Sequence, residues 1–270
     1  MHGTTAGLRT GAATRLADLE RRKPEWQAWL DLLRRALSLL GDAGSRVQGE
    51  RSPSADAPLL HGRVLVADGR ALSRLVSELL EKTTIQPGPL LTASLRGDRA
   101  AIDGFAAASG VESGALGTVA RLATAVLLQS CAHLQEQAPA SWSHGYCPVC
   151  GSWPVLAELR SLDRTRRLRC GRCAGDWRVN WLSCAFCGET SHEKLGRLVL
   201  EGEPETLTVE TCLECHGYLK SVTTLLPIPP FELLLQDLET VELDVAALER
   251  GFARPAGDGF TLDLRVTTGS

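Results

Sequence analysis

The sequence predicts an α+β protein: an N-terminal all-α domain followed by two small β modules, each built around a four-cysteine site. Three observations carry this prediction. Eight of the nine cysteines lie between Cys147 and Cys215, as four C-x-x-C pairs. The two halves of that stretch repeat one another. The roughly 140 residues before it carry apolar side chains at helical spacing.

The pairs are Cys147 with Cys150, Cys170 with Cys173, Cys184 with Cys187, and Cys212 with Cys215. Two intervening residues let both thiolates of a pair turn onto one ion, so each pair is half of a tetrahedral four-sulfur site. The segment CPVCGS (147–152) resembles CAFCGE (184–189), and CGRCAGDW (170–177) resembles CLECHGYL (212–219). In the first two, glycine follows the second cysteine, which suits a sharp bend that turns amide N–H groups toward sulfur. Nineteen residues separate Cys150 from Cys170, and twenty-four separate Cys187 from Cys212. Either length holds a β-hairpin: 155–159 and 166–169 around a turn at 161–165, and 195–200 and 206–210 around 201–204. The repeat assigns Cys147, Cys150, Cys170 and Cys173 to one metal and Cys184, Cys187, Cys212 and Cys215 to another. Interleaved pairing remains open but gives up the repeat.

Other uses of cysteine fit less well. Structural disulfides need an oxidising compartment, and the opening MHGTTAGLRTGAATRL has no apolar core for a signal peptide, so the expected compartment is the cytoplasm. A redox dithiol opens a helix after a strand, which these pairs do not. Iron–sulfur clusters show three close cysteines and a distant fourth, a pattern absent here. A four-thiolate cage accepts zinc or iron, and knuckles of this type occur in zinc ribbons and in rubredoxins alike. Structural zinc therefore stands beside iron at this point.

In the first 140 residues, Pro24 can open a helix with Trp26, Trp29, Leu30, Leu33, Leu37 and Leu40 along one stripe, stopped by Gly41 and Gly44. Residues 49–58 read as a polar connection. Asp68 can cap a helix carrying Leu72, Leu75, Val76 and Leu79, ended before Pro87-Gly88-Pro89. Asp98 opens a shorter one with Ile102 and Phe105. A long helix is expected from about Ser113 to Gln137, with Leu116, Ala120, Ala123, Leu127, Cys131 and Leu134 recurring every three or four residues. Cys131 on that stripe reads as a small buried hydrophobe.

The expected organisation is a helical domain over 1–140, metal modules over 141–182 and 183–225, and a C-terminal helix with a loose tail over 226–270. Leu243, Ala247 and Leu248 are expected inward on that helix. Trp142, Trp153, Trp177 and Trp181 are expected to pack beside the sulfurs, because metal modules have thin cores. His216 follows Cys215 directly, but both sites already have four thiolates, so it is placed at the surface or behind the ligands.

Charge narrows the function classes. A formal charge of −3 argues against a protein built wholesale around nucleic acid. From Arg160 to Arg178, however, seven arginines (160, 164, 166, 167, 169, 172 and 178) face Asp163 and Asp176, a net of +5. Such a stretch can contact nucleic acid or dock an acidic protein surface. The second module, with Glu189, Glu193, Glu201, Glu203, Glu205 and Glu210, has the opposite character, and opposed charges make no continuous phosphate track. No apolar run approaches the roughly 20 residues of a membrane span. No nucleophile triad, phosphate loop or acid pair stands out, and two saturated sites leave no open position for substrate, so no enzymatic activity is expected.

WSHGYCPVCGSWPV (142–155), LRCGRCAGDWRV (168–179), CAFCGE, CLECHGYLK (212–220) and LDVAALERGFAR (243–254) together resemble the FdhE-type formate dehydrogenase accessory proteins. The resemblance is close over the C-terminal half and looser over the helical half. It implies a helical domain followed by two rubredoxin-like modules binding iron, with the eight cysteines carried over one for one. It further implies a cytoplasmic maturation factor, chaperone-like, that contacts the catalytic subunit of formate dehydrogenase. Trp181 departs from the pattern, standing where that family suggests a basic residue. A double zinc ribbon binding nucleic acid is the alternative reading.

Overall fold

A computed structural model describes residues 5–39, 45–52, 54–79, 85–202 and 204–269, without the side chains of 5–10, Ala132 and Phe231. The chain divides into two compact units, one comprising residues up to Gln137 together with 261–270, the other Ala138–Phe260.

The first unit is mainly helical: α1 (Thr5–Arg22), α2 (Gln27–Ser38), α3 (Gly69–Leu79), α4 (Pro87–Arg96), α5 (Arg99–Ser109) and α6 (Ser113–Gln129). Pro24 opens a short 3-10 turn, and α2 follows it with Leu30, Leu33 and Ala36 buried. Trp29 stays 52% exposed and Trp26 lies under the Lys23 ammonium, so the buried stripe is rotated from the expected one. The stop at Leu40, Gly41 and Gly44 lies outside the described residues. The Asp68 Oδ1 accepts hydrogen bonds from the amides of Arg70 (2.9 Å) and Ala71 (2.8 Å), capping α3, whose buried face is Leu72, Leu75, Val76 and Leu79 as expected. The Asp98 carboxylate caps α5 through Ala101 N. Along α6 and the turn after it, Leu116, Ala120, Ala123, Leu127, Cys131 and Leu134 are all buried. Pro87-Gly88-Pro89 begins α4 instead of merely ending α3, because proline is tolerated in a first helical turn.

The all-α reading of this unit needs one correction. Strands β1 (Arg46–Gln48), β2 (Arg63–Asp68) and a C-terminal strand over Leu264–Gly269 form a three-stranded sheet, with β1 antiparallel and the last strand parallel to β2. The tail expected to be loose is thus held by pairing from Arg63↔Leu264 to Asp68↔Gly269, with Leu262, Leu264 and Val266 buried at every second position.

The second unit is a six-stranded sheet. Strands β3 (Pro154–Arg160), β4 (Thr165–Cys170) and β5 (Asp176–Arg178) form one antiparallel half; β6 (Leu195–Leu198), β7 (Leu207–Cys212) and β8 (Tyr218–Thr224) form the other. The order is β5-β4-β3-β8-β7-β6, so the C-terminal strand is β9. Both hairpins fall where the sequence put them; Glu203, in the second turn, lies outside the described residues. The two modules are not separate domains, because β3 and β8 pair in parallel from Leu156↔Lys220 to Arg160↔Thr224 and make one continuous sheet.

Beyond the sheet, α7 (Leu233–Glu239) and α8 (Val241–Glu249) close its apolar side. Val155, Leu156, Val222, Ile228 and Leu233 form one buried cluster; Val209, Tyr218, Leu243 and Ala247 form another. Ala246 joins the inward face of α8, whereas Leu248 is 56% exposed and is corrected to the outer face.

Candidate metal centres

All four C-x-x-C pairs build the same knuckle. The amide of the first cysteine donates to the carbonyl five residues on: Cys147 to Ser152 (2.9 Å), Cys170 to Gly175 (2.9 Å), Cys184 to Glu189 (2.8 Å) and Cys212 to Gly217 (3.0 Å). The residue after the second cysteine is left-handed each time, namely Gly151, Ala174, Gly188 and His216, with φ between 52° and 77°. Glycine does this without strain, whereas Ala174 and His216 bear its cost. His216 therefore serves the bend, as its position directly after Cys215 requires. Backbone amides turn onto sulfur: Val149 N to Cys147 Sγ, Arg172 N to Cys170 Sγ and Phe186 N to Cys184 Sγ, each 3.4 Å. Such donors favour thiolate.

The pairs meet as the repeat predicts. Cys147, Cys150, Cys170 and Cys173 form one group of sulfurs, all within 4.8 Å of one another; Cys184, Cys187, Cys212 and Cys215 form the second. Across the first group, Cys147–Cys173 is 3.4 Å and Cys150–Cys170 is 3.5 Å. Across the second, Cys184–Cys215 is 3.6 Å and Cys187–Cys212 is 3.7 Å. Disulfide sulfurs stand about 2.05 Å apart. A regular tetrahedron with metal–sulfur bonds of about 2.3 Å has edges of about 3.8 Å. Both groups fit a tetrahedral ion and neither is a set of disulfides.

Electrostatics points the same way. Burial pushes the Cys147 thiol well above its ordinary value and the neighbouring sulfurs push Cys173 up likewise, while hydrogen bonds from those neighbours hold Cys150 well below. Burial also raises Cys184. Thiolates packed this closely repel one another, and a central cation would stabilise four of them together.

The groups differ in exposure. All four cysteines of the first are buried; in the second, Cys187 and Cys215 are exposed and only Cys212 is buried. The first is sealed by residues outside the motif. Asp258 accepts hydrogen bonds from Ser152 Oγ (3.0 Å) and Arg172 Nη1 (3.1 Å), and Phe260 N donates to Gly151 O (3.0 Å). Burial works against the Arg172 charge, but Asp258 and the nearby sulfurs outweigh it and raise its affinity for the proton. This strap over 258–260 falls in the tail expected to be loose. Gly175 is a second residue with a part in the site beyond the cysteines: a Cβ there would lie 2.8 Å from Cys147 Sγ and 3.2 Å from Cys173 Sγ. The glycine shared by CGRCAG and CLECHG was the available signal.

Three of the four tryptophans pack beside the knuckles. Trp142 Nε1 donates to Tyr146 O (2.9 Å), Trp177 Nε1 donates to His144 O (3.2 Å), and Trp153 meets Phe186 edge-on at 5.5 Å. Trp181 does not; it is 46% exposed.

The basic stretch also differs from expectation. Glu158 pairs with Arg169 and Arg160, Asp176 with Arg160 and Arg167, Glu210 with Arg166, and Asp258 with Arg172. Five of the seven arginines are spent on internal carboxylates, which removes most of the positive face that a nucleic acid would need.

A further network joins two of the quoted motifs. Lys220, 1% exposed on β8, reaches Asp237 (2.5 Å) and Asp244 (2.8 Å); Arg254 reaches the same two carboxylates at 2.6 and 2.7 Å. The Tyr218 hydroxyl donates to Asp244 at 2.7 Å. CLECHGYLK and LDVAALERGFAR therefore meet in one ion cluster, which Asp237 of α7 completes.

Fold and site together define a helical protein whose second half is one β-sheet bearing two four-sulfur clusters. Residues 182–261 match the family model for the FdhE C-terminal domain. The FdhE homolog of Stutzerimonas stutzeri is 38% identical over 113 residues, 41% of this chain and 36% of that protein. The homolog of Aquifex aeolicus is 31% identical over 119 residues, 42% of this chain and 40% of that protein. The protein FdhE of Escherichia coli K12 is 32% identical over 117 residues, 43% and 37%. The matched stretch thus spans 36% to 40% of the length of these curated relatives. The crystal structure of the FdhE protein from Pseudomonas aeruginosa superposes with a TM-score of 0.63 at 23% identity, covering 97% of this chain and 98% of that one, which shows the shared fold. The chain resembles the FdhE proteins.

Proposed function

We propose that this protein is a non-catalytic accessory factor for formate dehydrogenase, acting in the cytoplasm by binding the catalytic subunit. The likeness of the knuckle-bearing half to FdhE proteins supports this reading. The observation that carries it is the pair of closed four-sulfur clusters on one sheet, which suits a folded docking platform better than an open catalytic metal. Cys147, Cys150, Cys170 and Cys173 would hold one ion, and Cys184, Cys187, Cys212 and Cys215 the other. Iron is favoured by the resemblance, and the same donors accept zinc. Iron held by four thiolates supplies one-electron chemistry, whereas zinc supplies structure alone. Among the described residues no single helix is long and apolar enough to cross a membrane.

The test is retention of the formate dehydrogenase catalytic subunit on the immobilised chain. Binding is expected to fall at least tenfold in Cys147→Ser or Cys184→Ser; binding unaffected by both removes the clusters from the function. Metal analysis of protein expressed without added zinc, with its visible spectrum, assigns the ion.

A further inference from the structure

A groove of about 670 Å³ runs within the second unit, between the β4–β5 edge and the knuckle of Cys184 and Cys187. Its size is that of a ligand-binding cleft. Arg164 and Arg178 line it, together with Trp181 and Phe186. Both arginines are exposed, and among the described residues neither makes an ion pair within 4 Å, unlike the other five of the stretch. Asp163 also lines the groove, but its carboxylate accepts from the Thr165 hydroxyl at 2.5 Å and is turned into its own hairpin. Arg164 sits at φ 50°, a left-handed position that the tight turn imposes. Trp181 stands at the junction, lining this groove and a second cavity of about 320 Å³ that it shares with Phe186 and Cys184. Next to it Leu182 is 58% exposed.

We infer that this groove docks an extended acidic segment of a partner protein, with carboxylates on Arg164 and Arg178 and an apolar or aromatic side chain against Trp181. The guanidinium fork pairs bidentately with carboxylate, and Trp and Arg are the residues that most often anchor protein interfaces. A nucleic acid suits the site less: two arginines, one of them already sensing the Asp163 charge, provide few phosphate contacts, and exposed glutamates Glu193, Glu201 and Glu205 follow on the other half of the sheet. One wall is the Cys184 knuckle, so an intact second cluster is required for the groove to keep its shape. This inference rests on the accessory-factor reading only for the partner's identity; the groove's chemistry stands apart from it.

The experiment uses the full chain and a fluorescein-labelled peptide, Glu-Asp-Leu-Phe-Glu-Asp, read by anisotropy, beside a ten-nucleotide oligouridine. The peptide is expected to bind, to weaken at least tenfold with Arg164→Glu/Arg178→Glu, and to weaken several-fold with Trp181→Ala. Both arginines and Trp181 are exposed, and unchanged circular dichroism and metal content establish that the variants fold. Three outcomes overturn the inference: no peptide binding tighter than about 1 mM, affinity unchanged by the double charge reversal, or oligouridine binding tighter than the peptide. A second arm retains the formate dehydrogenase catalytic subunit on wild type and on the charge-reversed variant. Equal retention by both overturns the groove and leaves the accessory reading intact. No retention even by wild type overturns that reading, and the peptide arm then decides the groove alone.

Discussion

The two four-sulfur clusters share a knuckle and differ in how deeply it is buried. In both, the first cysteine's amide closes the loop five residues on, and a left-handed residue follows the second cysteine. Yet all four sulfurs of the first are buried, while Cys187 and Cys215 of the second face water. The first knuckle carries the Asp258–Phe260 strap, with a carboxylate on Arg172 and an amide on Gly151, whereas the second receives a backbone contact, from Ala253 N to His216 O at 2.9 Å. Local sequence sets the geometry of a site like this, and distant sequence sets its dielectric. An ion in the first cluster is therefore expected to be held more permanently than one in the second.

The sharpest way to break this comparison is to remove one ligand from each side. Cys147→Ser leaves three packed thiols with no access to water, and structural ions of this kind supply about 10 kcal/mol or more, as much as a whole domain's stability. Loss of ordered β structure in the second unit is expected by circular dichroism. Cys187→Ser leaves its partners partly hydrated, so the fold is expected to persist with about one ion per chain instead of two. Equal damage from the two substitutions would abolish the distinction.

Gly175 and Gly217 hold equivalent places and sharpen it further. A methyl at Gly175 meets Cys147 Sγ at 2.8 Å and Cys173 Sγ at 3.2 Å, in a buried site where neither can retreat. At Gly217 the nearest atom is Phe186 Cδ2 at 2.7 Å, the end of a partly buried ring that can swing away, and the nearest sulfur, Cys215 Sγ at 3.1 Å, belongs to an exposed cysteine with room to shift. Gly175→Ala is expected to lose one ion per chain and Gly217→Ala to keep both, as read by metal analysis. With the wild type, a chromogenic chelator is expected to drain the second cluster at least tenfold faster than the first. A single kinetic phase for both ions would contradict this.

How much of this was legible depended on the range of the interaction. The grouping of the eight cysteines, both hairpins and the caps at Asp68 and Asp98 are local patterns, and each lies where its own few residues put it. The apolar stripe through Leu134 was equally plain, although the helix expected to reach Gln137 stops at Gln129 and Leu134 falls in the 3-10 turn of 132–137. What failed was long-range. Leu262, Leu264 and Val266 alternate as a strand should, but their partner β2 lies about two hundred residues earlier, and threonine and glycine masked the period. The parallel pairing of β3 with β8 likewise has no signature within either module. The arginine run misled for the same reason. Its net charge of +5 is a property of the segment, whereas the neutralising Glu158, Glu210 and Asp258 arrive from other strands and from the strap.

The strap itself gives a smaller effect. Asp258→Ala leaves Arg172 nearly buried without its carboxylate, and stranding a buried charge costs about 3 kcal/mol. The melting temperature is expected to fall, and the first cluster is expected to yield its ion to chelator at a rate approaching that of the second. Unchanged chelation would mean that burial by the strap is not what separates the two sites.

The smallest effect lies in the ion network that ties β8 to α8. Burial pushes the Asp244 carboxyl up, but Arg254 and Lys220 outweigh it and hold it below its ordinary value. A lowered carboxyl contributes stability above the unfolded value of about 3.9, lost as pH falls through the lower folded one. Tyr218 runs the other way: burial, then its hydrogen bond to Asp244, pushes it up to about 12. Its contribution is complete below the unfolded value of about 10 and disappears as pH rises through about 12, a loss of about 2 kcal/mol. Cysteine titration also acts in alkali, so the informative quantity is the difference between wild type and Tyr218→Phe. The variant is expected to be about 1 kcal/mol less stable at neutral pH, having lost one hydrogen bond, and to lose less than the wild type between pH 10 and 12. Parallel alkaline curves for the two proteins would show that the hydroxyl does not carry this dependence, leaving Lys220, Arg254 and the two aspartates to hold α8 against the sheet alone.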